Sequence, residues 1–373
     1  MNFKDRLIQD LDALRCNGMY RQLSVVPDGM VNLSGNDYLG LLEDDALRET
    51  FYAQLSGSDR LLSAASSRLL TGNVPAAIAL ESLLAERYGT EAALVFGSGY
   101  HANTGILPAL VGNKSLILSD RLNHASLIDG IRATGADFYR FRHNDLAHAR
   151  SYLERYAASY DEVFVVTESV FSMDGDCTDL QALVQLKRDF PNVVLYVDEA
   201  HGVGVFGDQG LGLATLAGVH HEIDLLVGTF GKALCSTGAF VVCSNAIRET
   251  LVNKMRPFIF TTALPPVNLA WTHFVIQALP EMHARRTHLL AMASRLTEAI
   301  RQKTGACVSS SHIVPYVIGS NEAAIAEAKR FQDAGFYVLP IRPPTVPKGT
   351  ARLRFSLSAA VTDADFERLL NVL

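Results

Sequence analysis

Leu7, Leu11 and Leu14 recur at helical spacing near the start of the chain and predict an amphipathic helix, followed by a loop near Pro27 to Gly29. A second helix is predicted from Pro75 through Tyr88. Proline suits a first helical turn, Leu80, Leu83, Leu84 and Tyr88 share one face, and Gly89 ends the run. Beyond Gly89 the period changes. Short runs rich in Val, Ile and Leu recur as AALVF (92–96), SLILS (115–119), VFVVTE (163–168), VVLYVDE (193–199), LLVGTF (225–230) and AFVVCS (239–244), with helix-length segments between most of them. Continuous apolar strands alternating with helices imply an α/β fold, a mainly parallel sheet covered on both faces, whose ligands bind beyond the C-terminal ends of the strands. Glu168, Asp198 and Thr229 fall at those ends.

Past Pro265 and Pro266 the pattern predicts one long helix over 267–304, a strand in HIVPYVIG, a helix around 323–334, and strand-like YVLPIRP and ARLRFSL. This divides the chain into an N-terminal arm (1–40), a large domain (41–266) and a small C-terminal α+β domain (267–373). Internal repeats and low-complexity segments are absent, which excludes a solenoid.

Composition narrows the function classes. With 373 residues, 49% hydrophobic and 19% charged, the chain can bury a large core. Its net charge of -6 gives none of the basic footprint that a nucleic-acid binder needs, so small-molecule chemistry is expected. The five cysteines (Cys16, Cys177, Cys235, Cys243, Cys307) contain no CxxC pair and suggest neither a disulfide framework nor a zinc site. Asp5, Asp10 and Asp12 stand where a secretory peptide would be apolar, and no apolar run approaches membrane-spanning length. A soluble, unprocessed protein of a reducing cytoplasm is expected, with no metal, nucleic-acid or membrane partner.

The candidate chemistry centres on Lys232, in VGTFGKALCSTG, downstream of YVDEAHG at 196–202. A lysine amine after an Asp/His cluster in such a chain points to an aldehyde cofactor held covalently, pyridoxal phosphate (PLP). That cofactor needs an amine, a carboxylate for its pyridine nitrogen, and donors for its phosphate. Asp198 ends an apolar strand and could supply the carboxylate; it could equally be a helix cap. His201 could meet the cofactor's phenolic oxygen or the substrate, or be a structural histidine. FGSGYHANTG (96–105) and Thr229 could cradle a phosphate at a helix N-terminus. Taken alone, the Gly97 and Gly99 pair is equally a tight strand-to-helix turn, since His101 and Ala102 spoil the GxGxxG spacing. His124, in SDRLNHASLIDG, could stack on a pyridine face or merely cap a helix. The letters DEAH at 198–201 also suggest a nucleotide-driven helicase strand. That reading needs GxxxxGK(S/T) upstream, whereas Lys232 lies downstream, Ala233 follows it, and Leu226 stands at the first glycine position.

Together, NLSGNDYLGL, SDRLNHASLIDG, FRHNDL, TESVFSMDGD, VDEAHGVGVFGDQG, GTFGKAL, RPFIFTTALPP and IRPPTVPKGTARLRFSL span nearly the whole chain and resemble the α-oxoamine synthases. The resemblance implies a fold-type I PLP-dependent transferase, with active sites at the interface of a homodimer. It implies that Lys232 binds PLP as an imine, that Asp198 pairs with the pyridine nitrogen, and that His201 and Ser172 contact the cofactor near its phenolic oxygen. His124 would stack on the ring and meet the substrate. Gly99, Tyr100 and Thr229 would hold the phosphate, with Thr261 or Thr262 reaching the partner subunit's phosphate. Arg21, Thr345 and Arg354 would bind substrate, Arg354 gripping the amino-acid carboxylate with its two-pronged fork.

The activity implied is decarboxylative condensation of L-alanine with a pimeloyl thioester, on CoA or a carrier protein. Lys232 would serve as the base for the α-proton, aided by burial that disfavours its protonated form. A synthase with another acyl group or amino acid, such as a glycine C-acetyltransferase or an autoinducer synthase, would keep the same cofactor residues. A catalytically silent partner subunit would not be expected to keep Lys232. Two stretches depart from the family pattern: LSAASSRLLTGN (62–73) carries Ala64 and Ala65 where relatives are glycine-rich, and Cys235 and Ser236 occupy a turn where glycine is frequent.

Overall fold

A strand buried on both faces can satisfy its backbone only through neighbours of the same kind, and the apolar runs pair accordingly. The computed structural model describes residues 1–373 and falls into two compact units. One comprises Asp37–Ser172 and Cys177–Thr287; the other comprises Met1–Asn36, Met173–Asp176 and His288–Leu373.

The first unit is built on seven strands: β1 (Ala92–Phe96), β2 (Ser115–Asp120), β3 (Asp137–Phe141), β4 (Glu162–Glu168), β5 (Val193–Asp198), β6 (Leu225–Thr229) and β7 (Ala239–Cys243). They lie in the order β1-β7-β6-β5-β4-β2-β3. Only β7 runs against its neighbours; the pairs from β6 through β3 are all parallel. The parallel register sets Glu168 beside Asp198, so the polar ends of the strands gather at one edge of the sheet.

Helices Pro75–Tyr88, Gly99–Leu110, Ala125–Thr134, Leu146–Tyr156 and Leu180–Asp189 alternate with the strands. Their starts are written in the sequence. Ser98, Asp145 and Asp179 each accept the backbone N–H three residues on, a cap that contributes about 1 kcal/mol. The Pro75–Tyr88 helix ends at Gly89, whose φ of +60° is the left-handed cap that glycine adopts without steric cost. Ile106, Leu107, Ile131, Tyr196, Leu225 and Val241 belong to the core that packs these helices on the sheet. Gly130 permits close approach of two helices: a Cβ there would lie 2.1 Å from the Asn103 carbonyl oxygen.

The second unit holds a three-stranded antiparallel sheet, with Ala351–Ser356 between Pro340–Ile341 and Ile313–Gly319. Val31–Asn32 pairs in parallel with Phe336–Tyr337. Phe331, Phe336, Phe355 and Phe366 form its fully buried aromatic centre.

The structure departs from the periodicity in three places. The edge strand β3 was not expected, because its residues are mostly exposed and only Phe141 is buried, so it carries no apolar run. The single helix expected over 267–304 is two, Pro266–Ala278 and His283–Thr304, joined by a 3-10 turn at Leu279–Met282 containing Pro280; proline cannot supply the N–H that a continuous helix needs. The N-terminal helix Phe3–Cys16 forms, yet none of its residues is buried. No helix is long and apolar enough to cross a membrane.

The Gly130 contact yields a test. Gly130→Ala must part the helices Gly99–Leu110 and Ala125–Thr134, and the overpacking is expected to destabilise the protein by about 1–3 kcal/mol in urea unfolding. An unchanged midpoint would show that the helices yield without cost.

Candidate active site

Lys232 lies on the turn between β6 and β7. That turn is cross-tied by backbone bonds from Cys235 N–H to Lys232 O, Ser236 N–H to Phe230 O, and Phe230 N–H to Gly238 O, each 2.9 Å. Lys232 Nζ stands 2.8 Å from His201 Nε2. On the far side of that ring, Nδ1 is 2.6 Å from the hydroxyl of the buried Tyr38.

Asp198 ends the central strand β5 and is only 5% exposed. Its carboxylate accepts the Asn103 side-chain amide at 2.7 Å and the Ala200 backbone N–H at 2.8 Å. Asn103 is itself fixed: its carbonyl oxygen accepts the Tyr196 hydroxyl at 2.7 Å, and its amide reaches Ser126 Oγ at 3.0 Å. Glu168, at the end of β4, accepts the His124 backbone N–H at 2.6 Å. His124 caps the Ala125–Thr134 helix, with Nδ1 2.7 Å from Ser126 Oγ, and remains exposed overall.

Electrostatics tie these groups into one cluster. Burial holds the Glu168 carboxyl well above the usual carboxylate pKa and the Asp198 charge pushes it further, while Lys232 and the His124 N–H oppose. His124 is lowered first by loss of water around its ring; Asp198 opposes that shift and Lys232 adds to it.

The first turn of the Gly99–Leu110 helix opens beside Thr229, since a Cβ on Gly99 would come to 3.8 Å from Thr229 Cβ and Oγ1. The Thr229 hydroxyl donates to Gly238 O at 3.0 Å. Tyr100, one residue further, is exposed and donates to Asp129 at 2.6 Å. Ser172 is half-buried after the strand-end segment that follows Glu168. Thr261 and Thr262 line a small cleft with Gly97, Arg68 and Phe258.

The remaining candidates belong to the second unit. Arg21 donates to Thr345 Oγ1 at 2.9 Å, and both line a cavity of about 260 Å³ with Met19, Ile341 and Arg342. Arg354, buried on its strand, has both terminal nitrogens 3.3–3.4 Å from Asn36 Oδ1.

Sequence reasoning missed Asn103, Tyr38 and Tyr196. One signal was available: strand period 2 puts Tyr196 and Asp198 on the same face of β5. The unusual stretches are strained at named positions, with Ala65 at φ +52° and Cys235 at φ +44°, both in the left-handed region.

An amine beside an imidazole, a buried carboxylate with its own donors, an accessible imidazole, and a helix N-terminus next to a hydroxyl make up the donor set that PLP requires, and the residues present fit it.

The match to known proteins runs the length of the chain. The model for aminotransferase class I and II matches residues 28–373. A relative from Haemophilus influenzae, provisionally named an 8-amino-7-oxononanoate synthase, is 52% identical over 368 residues, covering 96% of this chain and 97% of its own. Among solved structures, a serine palmitoyltransferase from S. paucimobilis with bound PLP–myriocin superposes with a TM-score of 0.88 at 30% identity, covering 99% of this chain and 96% of that one. An 8-amino-7-oxononanoate synthase from Francisella tularensis gives 0.78 at 27% identity, covering 93% and 97%.

Glu168 offers a pH test. Its folded pKa is raised above the unfolded value, so the stability it contributes is complete below about 4.5 and is lost as pH rises toward the folded value. Glu168→Gln keeps an oxygen for the His124 N–H and removes that loss. Thermal melts of the PLP-free protein from pH 5 to 8 should show the variant gaining stability over the parent as pH rises; parallel curves would contradict it.

Proposed function

The chain belongs to the aminotransferase class I and II family, among the α-oxoamine synthases, and on that footing we propose that it condenses L-alanine with a pimeloyl thioester to give 8-amino-7-oxononanoate, carbon dioxide and free thiol, a step of biotin biosynthesis. Its fold is that of the fold-type I PLP-dependent transferases and its cofactor is PLP. The observation that carries the reading is the Lys232 amine, 2.8 Å from His201 and acting with the buried Asp198 on the same Glu168 and His124, in a chain 52% identical to a relative provisionally named for that reaction.

Lys232, Asp198, His201, Ser172, His124, Gly99, Tyr100 and Thr229 would hold PLP, which when bound supplies an electron-accepting ring that stabilises negative charge on the carbon beside the amino group. Lys232 Nζ takes the α-proton of alanine, with the His201 ring in reach to share the charge. The α-carbon then attacks the thioester carbonyl and the thiol departs. Loss of the alanine carboxylate as carbon dioxide leaves a carbon that Lys232 reprotonates. The Asp198 carboxylate is held in place by the Asn103 and Ala200 donors and would pair with the pyridine nitrogen. The exposed His124 ring offers an aromatic face to cover the site. Arg354, buried and fork-shaped, suits the amino-acid carboxylate, and Arg21 with Thr345 suits the acyl partner. We further infer a cytoplasmic homodimer, with Thr261 or Thr262 serving the partner's phosphate site.

A second reading, a synthase taking a different acyl thioester or amino acid, is favoured by the serine palmitoyltransferase superposition at TM-score 0.88. One experiment decides between them. The purified protein with PLP should be yellow, lose that colour with borohydride, and release thiol when given alanine and a pimeloyl thioester. Thiol release confined to glycine, serine or a longer acyl chain moves the protein to the second reading. Lys232→Ala should lower turnover by at least about a thousandfold, as for removal of a residue acting both as covalent partner and as base; a variant that still turned over would remove Lys232 from that role.

A further inference from the structure

The turn that aims Lys232 contains a side chain in a conformation that only glycine adopts freely. Cys235 has φ +44°, where its Cβ crowds the backbone. Three bonds hold it there. Its N–H donates to Lys232 O at 2.9 Å, its carbonyl accepts the Trp271 indole N–H at 3.0 Å, and its Sγ donates to Asp37 Oδ1 at 2.9 Å. The same Asp37 carboxylate accepts the Leu41 and Leu42 backbone N–H groups at 2.8 and 3.0 Å, so its position is fixed.

The residue next to Asp37 is Tyr38, whose hydroxyl meets His201 Nδ1 at 2.6 Å, and His201 Nε2 meets Lys232 Nζ at 2.8 Å. The connections form a closed ring: Lys232 to Cys235 along the backbone, Cys235 to Asp37 through the thiol, Asp37 to Tyr38 along the backbone, and Tyr38 through His201 back to Lys232. Burial first, then the bond to Asp37, pushes the thiol pKa up, which keeps Cys235 a neutral donor.

We propose that Cys235 is a positioning residue for the cofactor-binding amine: its thiol-to-Asp37 bond locks the left-handed turn and, through Tyr38, keeps His201 and Lys232 in register. The inference rests on the reading of Lys232 as the amine that takes PLP. Without the thiol bond, a residue bearing a Cβ gains by relaxing toward negative φ, and the turn that starts at the Lys232 carbonyl relaxes with it.

The test uses the full chain loaded with PLP, comparing the parent with Cys235→Ser, Cys235→Ala, Asp37→Ala, and Cys235→Ala combined with Asp37→Ala. The readouts are PLP dissociation constant by equilibrium dialysis, visible circular dichroism per bound PLP, and melting temperature. Serine keeps a hydroxyl donor and should stay within about twofold of the parent, whereas Cys235→Ala should weaken PLP by about five- to tenfold, the effect of losing one hydrogen bond of ordinary strength. Its circular dichroism per bound PLP should change as well, a signature that loss of stability alone would not give. The double variant should be no weaker than the weaker single one.

Parent-like affinity and circular dichroism in Cys235→Ala overturn the proposal. If Cys235→Ala does not fold, Asp37→Ala, which removes the acceptor of the thiol, decides in the same way. Failure of the Lys232 reading looks different, because then the parent itself shows no PLP colour.

Discussion

A carboxylate kept from water at the end of a central strand is the constraint around which the first unit is organised. Asp198 is 5% exposed, and an ionised group so placed is tolerated only when donors replace the lost water. The parallel register adds a second acid, Glu168, directly beside it. Two buried carboxylates at adjacent strand ends cannot both ionise without cost, and the arrangement divides the roles. Asp198 takes the donors from Asn103 and Ala200. Glu168 takes the raised pKa, relieved in part by the His124 N–H and the Lys232 charge.

Supporting those donors requires depth in the structure. Asn103 can face Asp198 only because Tyr196 and Ser126 hold its other groups, and because Gly130 lets the neighbouring helix come close to its backbone. Losing one member of such a network exposes the next to the full cost of an unpaired buried group, about 1–3 kcal/mol. His124 draws on the same network through Ser126, so the residue proposed to cover the cofactor and the residue proposed for its pyridine nitrogen share one support. The Lys232 side is held in the same way, by Tyr38 behind His201 and by the cross-tied turn after β6.

The division between cofactor chemistry and substrate choice follows the chain. The residues proposed for the cofactor all lie in the unit built on the parallel sheet, while Arg21, Thr345 and Arg354, proposed for the substrate, lie in the unit that combines both ends of the chain. Members of one family can therefore keep the first set while varying the second. Identity of 52% to a relative with a provisional name fixes the chemistry more firmly than the acyl group.

The α/β character, the strand ends that carry Glu168, Asp198 and Thr229, and the helix from Pro75 to Tyr88 were legible in the residues alone, because a two-sided buried strand and a capped helix are written in local periodicity. Lys232 and His201 stood out as well, since chemistry-bearing residues after apolar strands are conspicuous. Their surroundings emerged only with the folded chain. Asn103 and Asp198 are far apart in the chain, and neither residue type announces the other; the same holds for Tyr38 with His201 and Asp37 with Cys235. The edge strand β3 stayed hidden because one exposed face erases the apolar run, and the membership of Met173–Asp176 in the second unit stayed hidden because its bonds to Arg352 and Ser310 are long-range. Local pattern is set by burial along one segment, whereas partners are set by closure of the whole chain.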